Sequence, residues 1–169
     1  MSDTVAALPV TFFQGPKYQS LMTSDKDEIY QLENLHADQW KVKPMQNGNP
    51  PHWFPQQVVG TIPLYRYYLP KTGDHLFTLD PDEGSEAEKY LGYQSEGISG
   101  YVFKTNDDVN IALTAHFCDI ERFKAGDYHW YWCLHQTGDG MPEGRVFEGQ
   151  IGYLLQPMDG SAPPAFASL

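Results

Sequence analysis

An internal repeat constrains the fold of this chain more than any other feature. Thr23-Ser-Asp-Lys-Asp-Glu28 is answered by Thr78-Leu-Asp-Pro-Asp-Glu83 at a shift of 55 residues. Glu96-Gly-x-x-Gly-Tyr101 recurs as Glu148-Gly-x-x-Gly-Tyr153 at a shift of 52. Repeats of about this length are supersecondary units that bury their apolar faces only by packing together. The sequence therefore predicts three related units, at about residues 8–60, 61–109 and 110–157.

The composition favours short strands joined by turns, because the chain holds 11 Tyr, 9 Phe and 4 Trp beside 15 Gly and 13 Pro. Ser24 and Asp25 could cap a short helical turn, and Pro81 suits the first helical position in the second unit. Three units around an axis can close a barrel that leaves no exposed edge. We therefore predict one all-β domain over residues 1–169, a β-trefoil, with a β-sandwich as the alternative.

The middle unit resembles a repeat family of undefined biochemical role, found in fungal and bacterial extracellular or defence-type proteins. The matching motifs are Leu64-Tyr-Arg-Tyr-Tyr68, Asp74-His-Leu-Phe-Thr78 and Glu96-Gly-Ile-Ser-Gly-Tyr-Val-Phe103. The family pattern is close to L-Y-R-x-Y, D-H-F-Y-T and E-G-x-x-G-Y-V-F. Three units of this size also resemble the β-trefoil lectins and protease inhibitors of fungi. Both resemblances imply a binding module rather than an enzyme.

Charge and hydropathy exclude two classes of partner. The formal net charge is −11, whereas binding to a phosphate backbone needs clustered Lys and Arg, so we exclude nucleic acid. No segment approaches the ~18 apolar residues of a membrane span. The first eight residues lack the basic and apolar regions of a secretory signal. We expect a protein that is cytoplasmic, or released without a classical signal peptide.

The reactive residues do not form a familiar catalytic or metal motif. Nucleophile-elbow, phosphate-loop and HExxH motifs are absent from the sequence, so we predict no enzyme and no cofactor. His129, Cys133 and His135 share a face only while their strand stays regular, so we predict no metal site. Cys118 is the other cysteine, and two cysteines are too few for a small disulfide scaffold. We expect buried free thiols, with a single bridge as the alternative.

The predicted ligand site lies in the middle unit, where polar residues are embedded in aromatic strands. The candidate ligand-binding residues are Asp74, His75, Arg66, Glu96, Tyr68 and Tyr93. Sugar recognition uses carboxylate and guanidinium groups for hydroxyl pairs and an aromatic face for the apolar side of the ring. The competing interpretation is a buried hydrogen-bond network in which Arg66 pairs with Glu96.

The flanking units align less well with this polar set. The first unit offers Phe12 in place of Arg66 and Ser20 in place of His75, and the third offers Ala115 in place of Arg66. On this alignment the middle unit alone keeps a full set of polar side chains.

The predicted function is non-catalytic binding of a glycan or glycoprotein, as in a defence lectin. Such sites are shallow and weak, so we expect several sites or a homodimer. The alternative is a trefoil protease inhibitor that acts through an exposed loop at residues 46–55. Trp53, Trp130 and Trp132 could each pack in the core or serve as a stacking platform.

Overall fold

The computed structural model describes residues 3–107, 115–133, 136, 140–157, 159, 161, 163 and 165–169. The start of the predicted third unit, 110–114, and His135 lie outside these residues. Antiparallel strands dominate, as the all-β prediction requires. Across the described residues no sheet closes into a barrel, so the β-trefoil itself is not confirmed.

The first part of the chain contains six short strands and one helix. The strands are β1 (Thr4–Val5), β2 (Leu8–Pro9), β3 (Thr11–Gln14), β4 (Ser20–Thr23), β5 (Lys41–Val42) and β6 (His52–Trp53). A single 3-10 turn, Pro16–Tyr18, joins β3 to β4. Helix α1 (Lys26–Tyr30) continues as a π-helical turn over Gln31–Leu35.

The middle and last parts of the chain contain longer strands. The middle part has β7 (Thr61–Leu69), β8 (Asp74–Thr78), helix α2 (Pro81–Glu86) with a π-helical turn over Ala87–Leu91, and β9 (Gln94–Phe103). The last part has β10 (Ala115–Ala125), β11 (Tyr128–Cys133), β12 (Val146–Pro157) and β13 (Phe166–Ala167). Buried residues alternate along β10, which is the period of a strand with one face in the core.

Three segments of the chain each form three antiparallel strands in the same spatial order. The strand orders are β4-β3-β5, β8-β7-β9 and β11-β10-β12, so the first strand of each segment lies between the second and the third. The second and third sheets join through the pairing of Tyr153 with Phe103. Residues 11–42, 61–103 and 115–157 carry these sheets and fall within the three predicted units. We call them the first, second and third units.

The two helices begin with the same hydrogen-bonded turn. Thr23 Oγ1 accepts from the Asp25 amide, and the Asp25 carboxylate accepts from the amides of Asp27 and Glu28. In the second unit, Thr78 Oγ1 accepts from the Asp80 amide, and the Asp80 carboxylate accepts from the Asp82 amide. These caps satisfy amides that a helix start leaves without intrahelical partners. The repeat of 55 residues therefore marks one recurring strand-to-helix junction.

The three units share one core around their second strands. Tyr131 on β11 donates its hydroxyl hydrogen to the His75 carbonyl and accepts from the Phe77 amide, both on β8. Its own amide donates to Ser20 Oγ on β4. The main apolar cluster takes buried side chains from all three units. Each unit therefore depends on the other two for the burial of its apolar face.

The two cysteines form a disulfide, so the expectation of free thiols was wrong and the single bridge was right. Cys118 on β10 and Cys133 on β11 are fully buried, with Cα atoms 6.1 Å apart. That separation lies within the range that a disulfide spans. The strand register, which pairs Ile120 with Cys133, brings the two thiols together.

Two of the three tryptophans in question are core residues. Trp53 and Trp130 are each 1% exposed, and Trp132 is half-buried. The Trp53 indole donates to Ser24 Oγ and lies against the backbone of Gly100, where an added Cβ would come within 2.7 Å of the ring. Among the described residues, no helix is long and apolar enough to cross a membrane.

Candidate functional site

A cluster of charged residues bridges the junction between the first and second units, which we call the first seam. Arg66 on β7 donates to the Glu28 carboxylate of α1 at 2.9 Å. The Arg66 Nε atom lies 2.8 Å from Glu96 Oε2 on β9. The pairing of Arg66 with Glu96 was the competing interpretation of the sequence, whereas the carboxylate from the neighbouring unit was not expected. Both carboxylate side chains remain partly exposed, at 27% for Glu28 and 32% for Glu96.

His75 and Tyr68 extend this cluster along the sheet. His75 Nε2 lies 3.8 Å from Glu96 Oε2, and the imidazole packs against the Tyr68 ring with centroids 5.1 Å apart. Burial, with the positive charge of Arg66 beside it, lowers the pKa of His75 to about 4. The imidazole is therefore neutral at pH 7, and its contact with Glu96 is not an ion pair there.

An open cleft of about 550 Å³ lies over the first seam. Its lining includes Ser24, Asp25, Asp27, Glu28, Gln31, Arg66, Glu96, Ile98 and Ser99. Arg66 and Glu96 face this cleft, whereas Tyr68 packs on His75 and is not part of the lining. The cleft is therefore polar, and the half-exposed Ile98 provides an apolar surface in it.

Asp74 and Tyr93 do not join the other four predicted site residues. Asp74 is fully buried, and its carboxylate accepts from the Tyr93 hydroxyl at 2.6 Å and from the His129 amide at 2.6 Å. Its Oδ2 atom also lies 2.6 Å from His129 Nδ1. Tyr93 is 6% exposed, and burial together with Asp74 raises the pKa of its phenol. Asp74 thereby ties β8 to His129 on β11, with the Tyr93 hydroxyl as a further partner, so we correct the assignment of Asp74 from a ligand contact to a buried network.

The junction between the second and third units, which we call the second seam, repeats the charged cluster. Arg122 on β10 donates to both Glu83 oxygens at 3.0 and 2.7 Å and to the Phe77 carbonyl at 3.1 Å. Its Nε atom lies 3.0 Å from Glu148 Oε1. His129 Nε2 lies 3.6 Å from the same carboxylate oxygen.

The ion pair at the second seam shifts the pKa of both partners, Arg122 and Glu83. Burial is the largest influence on Arg122 and disfavours its charge, but the hydrogen bonds to Glu83 and the nearby negative charges together outweigh it and raise the pKa of the guanidinium. Burial is also the largest influence on Glu83 and would raise its pKa, but the hydrogen bonds that it accepts and the positive charge of Arg122 together lower that pKa. Both groups are therefore charged at neutral pH.

Strand register shows which residues correspond between units. Between the first and second strands of each unit, Arg66 pairs with Phe77, Arg122 with Tyr131 and Phe12 with Met22. Arg66, Arg122 and Phe12 therefore occupy the same position in their units, which confirms the alignment of Phe12 with Arg66. The alignment of Ala115 with Arg66 was wrong, because Arg122 holds that position.

By the same register, His129 of the third unit corresponds to His75 of the second and to Ser20 of the first. The third unit therefore keeps the arginine, histidine and glutamate of the polar set as Arg122, His129 and Glu148, but Tyr128 stands in place of Asp74, so the middle unit alone keeps the full set.

Sequence reasoning missed five members of the two seams: Glu28, Glu83, Arg122, His129 and Glu148. A signal for Arg122 was present, since Ile120-Glu-Arg-Phe123 matches Leu64-Tyr-Arg-Tyr67 at a shift of 56. The recurrence of Glu96 as Glu148 was noticed but not connected to an arginine. The two helix glutamates, Glu28 and Glu83, also recur in the repeat, but nothing in the sequence indicates their partners, which lie in the next unit.

The loop proposed for protease inhibition is shorter than residues 46–55. Residues 46–48 and Pro50 are exposed, whereas Pro51 to Phe54 are buried. Gln156 donates to Asn47 Oδ1 and to the Asn49 carbonyl, which fixes the loop on β12. Pro55 is again exposed, and inhibition through residues 46–55 stays a prediction.

Metal ligation was not expected, and within the described part of the chain no group of three or more His, Cys, Asp or Glu could hold a metal ion. Of the three residues that could have converged on a metal, Cys133 is in the disulfide and His135 lies outside the described residues.

The comparisons with known proteins show the family of the chain but no role for it. A family described as a domain of unknown function, DUF5648, matches residues 10–130. Because this match covers more than half of the chain, the chain belongs to that family. The matched range contains the whole first seam and ends inside β11, before Glu148. Neither a curated protein nor a solved structure matches the chain.

Proposed function

We propose that this protein binds carbohydrate without catalysis, through the cleft at the first seam. The observation that carries the proposal is the fixed arrangement of Arg66 between two partly exposed carboxylates, Glu28 and Glu96, at the wall of an open polar cleft. A buried ion pair with only a structural role would not need such a cleft. Here each carboxylate keeps lone pairs that can accept hydrogen bonds from a ligand.

The chemistry of the cleft suits a neutral sugar. Carboxylate oxygens accept hydrogen bonds from pairs of neighbouring hydroxyl groups, and Arg66 fixes their direction before the ligand arrives, which lowers the entropic cost of binding. Ser99 adds a hydroxyl group, and Ile98 offers an apolar surface to a sugar ring. The acidic residues that surround Arg66 would repel an anionic ligand.

Other features support a binding module of this kind. The middle unit resembles repeats of extracellular or defence-type proteins, and three related units are also typical of the β-trefoil lectins, so the trefoil remains part of this proposal. The buried disulfide fits an oxidising environment better than a reducing cytoplasm. Of the two predicted locations, we therefore favour release from the cell. The homodimer stays a prediction.

A glycan array tests the proposal. Wild-type protein should bind a defined set of neutral glycans, and Glu96→Gln should weaken that binding at least about tenfold, since one hydrogen bond to a charged group contributes about 1.5–3 kcal/mol. The matched control is Glu33→Gln, an exposed glutamate of the first helical segment that does not line the cleft. Bound glycan should be recovered unchanged by mass spectrometry.

Two results would contradict the proposal. One is the absence of binding to any glycan on the array by the folded wild-type protein. The other is equal binding by Glu96→Gln and wild type, which would leave Arg66 and Glu96 as a structural pair only.

A further inference from the structure

We propose that the second seam is a second carbohydrate site, which takes a neutral saccharide, so that one chain is bivalent. The inference rests on the proposed function, because it assigns the same chemistry to both seams. A chain with two sites gains avidity for a multivalent glycan without any new contact, provided that both sites can be engaged at once.

The two seams present their carboxylates to solvent in the same way. The Glu83 side chain is 37% exposed and the Glu148 side chain is 29% exposed, against 27% and 32% for Glu28 and Glu96. In both seams the arginine side chain is mostly buried, at 11% exposure for Arg122 and 17% for Arg66, and its guanidinium holds the two carboxylates in position. Arg122 is thus a positioning residue, and the carboxylates are the groups that a ligand can reach.

The histidine of the second seam is held more firmly than that of the first. Asp74, fully buried, occupies His129 Nδ1 at 2.6 Å, so the other ring nitrogen is left on the side of Glu148. At His75 the Nδ1 atom has no hydrogen-bond partner among the described residues. Gln19 precedes Ser20 as Asp74 precedes His75, and its amide donates to the Thr72 carbonyl instead. The second seam therefore has a fixed polar group that the first lacks.

The second seam also has the aromatic surface that the first lacks. A cleft of about 270 Å³ is lined by Glu83, Glu86, Tyr90, Leu91, Tyr93 and His129, among others. Tyr90 is 68% exposed, and the Lys89 ammonium lies 4.9 Å from the centroid of its ring. At the same distance from the helix cap, the first unit has Leu35. An exposed phenol ring beside carboxylates is the combination that binds the apolar face and the hydroxyl groups of a sugar together.

The charge of the second cleft selects the kind of saccharide. Glu83 and Glu86 line it and Glu148 lies beside His129, so these three carboxylates outnumber the two cations, Arg122 and the Lys89 ammonium over Tyr90. With a formal net charge of −11 on the whole chain, a uronate, sulfate or phosphate group would be repelled. The expected ligand is a neutral hexose or N-acetylhexosamine unit of an oligosaccharide.

Amide chemical shifts of the full-length ¹⁵N-labelled chain test both seams in one titration. The probes are neutral tetrasaccharides of glucose, mannose, galactose and N-acetylglucosamine. Binding at the first seam should shift Glu96 and Ser99, and binding at the second should shift Tyr90 and His129. Tyr90→Ala should raise the Kd obtained from the second set of shifts by about tenfold or more, as expected for the loss of a stacking partner. The Kd obtained from the first set should not change. Tyr30→Ala is the matched control, because Tyr30 is also exposed on a helix but lines neither cleft.

The outcomes separate this inference from the proposed function. Saturable shifts at both seams, with selective loss in Tyr90→Ala, support both. Shifts at the first seam alone overturn the second site and leave the proposed function standing. Shifts at the second seam alone support this inference and overturn the assignment of the first. No shift with any of the four probes, or equal losses in Tyr90→Ala and Tyr30→Ala, overturns the second site.

Discussion

Asp74 shows why a polar residue in an aromatic strand can be essential without touching a ligand. Its carboxylate accepts from two elements, the Tyr93 hydroxyl and the backbone and ring of His129, and none of its surface is exposed. A buried carboxylate is tolerated only when such partners compensate for lost hydration. Asp74, on β8 of the second unit, thereby fixes the His129 side chain of the third unit at the second seam.

We expect Asp74→Asn to destabilise the protein by about 2–4 kcal/mol, because an amide nitrogen would face groups that already donate hydrogen bonds. Asp38→Asn, a change at an exposed turn, should alter stability by less than about 0.5 kcal/mol. Urea unfolding of both variants beside wild type measures the difference. If Asp74→Asn were as mild as Asp38→Asn, the buried network would not have the structural role assigned to it.

At the scale of elements, the two helices share a start but dock differently. Both are capped by the turn at Thr23 and Asp25 or at Thr78 and Asp80. Helix α1 packs Ile29 against the core, whereas α2 has the buried Gly84 at the corresponding position. A Cβ at Gly84 would lie 2.2 Å from the Tyr67 hydroxyl oxygen. The missing side chain therefore sets how closely α2 approaches β7.

We expect Gly84→Ala to destabilise the protein by about 1–3 kcal/mol through overpacking. Intrinsic helix propensity alone would give the opposite sign, a gain of about 1 kcal/mol. Thermal and urea unfolding decide between the two, with Ser85→Ala on the exposed side of the same helix as the control. A stabilised Gly84→Ala variant would show that α2 is free to move away from Tyr67.

At the scale of the whole molecule, the three units form one cooperative structure. Their apolar side chains share a cluster, and Tyr131 links all three second strands through its hydroxyl and its amide. The first and last short strands, β1 and β13, also pair with each other. Separation of one unit would expose apolar surface on the other two, so partial unfolding is unfavourable.

We therefore expect a single unfolding transition for the oxidised protein. Trp40 lies in the first unit and Trp130 and Trp132 in the third, whereas Trp53 on β6 packs against Gly100 of the second, so three of the four indoles report on units other than the second. Far-UV circular dichroism reports on all three. Coincident urea midpoints from the two probes are the expected result for a two-state domain. Separate midpoints would mean that the second unit unfolds independently.

The sequence by itself determined the number of units, the antiparallel β class, the capped helix starts and the pairing of Arg66 with Glu96. These features depend on local signals: turn and cap residues, aromatic strands, and recurring glycine and glutamate positions. Such signals survive in each copy because each unit must form the same strand-to-helix junction. At Arg122 such a signal was present, in the match of Ile120-Glu-Arg-Phe123 to Leu64-Tyr-Arg-Tyr67, but the alignment through Ala115 placed the third unit out of register with it.

Only the tertiary structure decided which polar residues meet and which are buried. Glu28 and Glu83 reach arginines 38 and 39 residues away, in the following unit, and no local pattern encodes that contact. Asp74 and His75 are adjacent in the chain, yet the alternation of a strand sends one into the core and the other toward Glu96. The disulfide likewise follows from the register of β10 and β11. Contacts between units depend on how the units pack, and that is set by the whole core rather than by any one stretch of sequence.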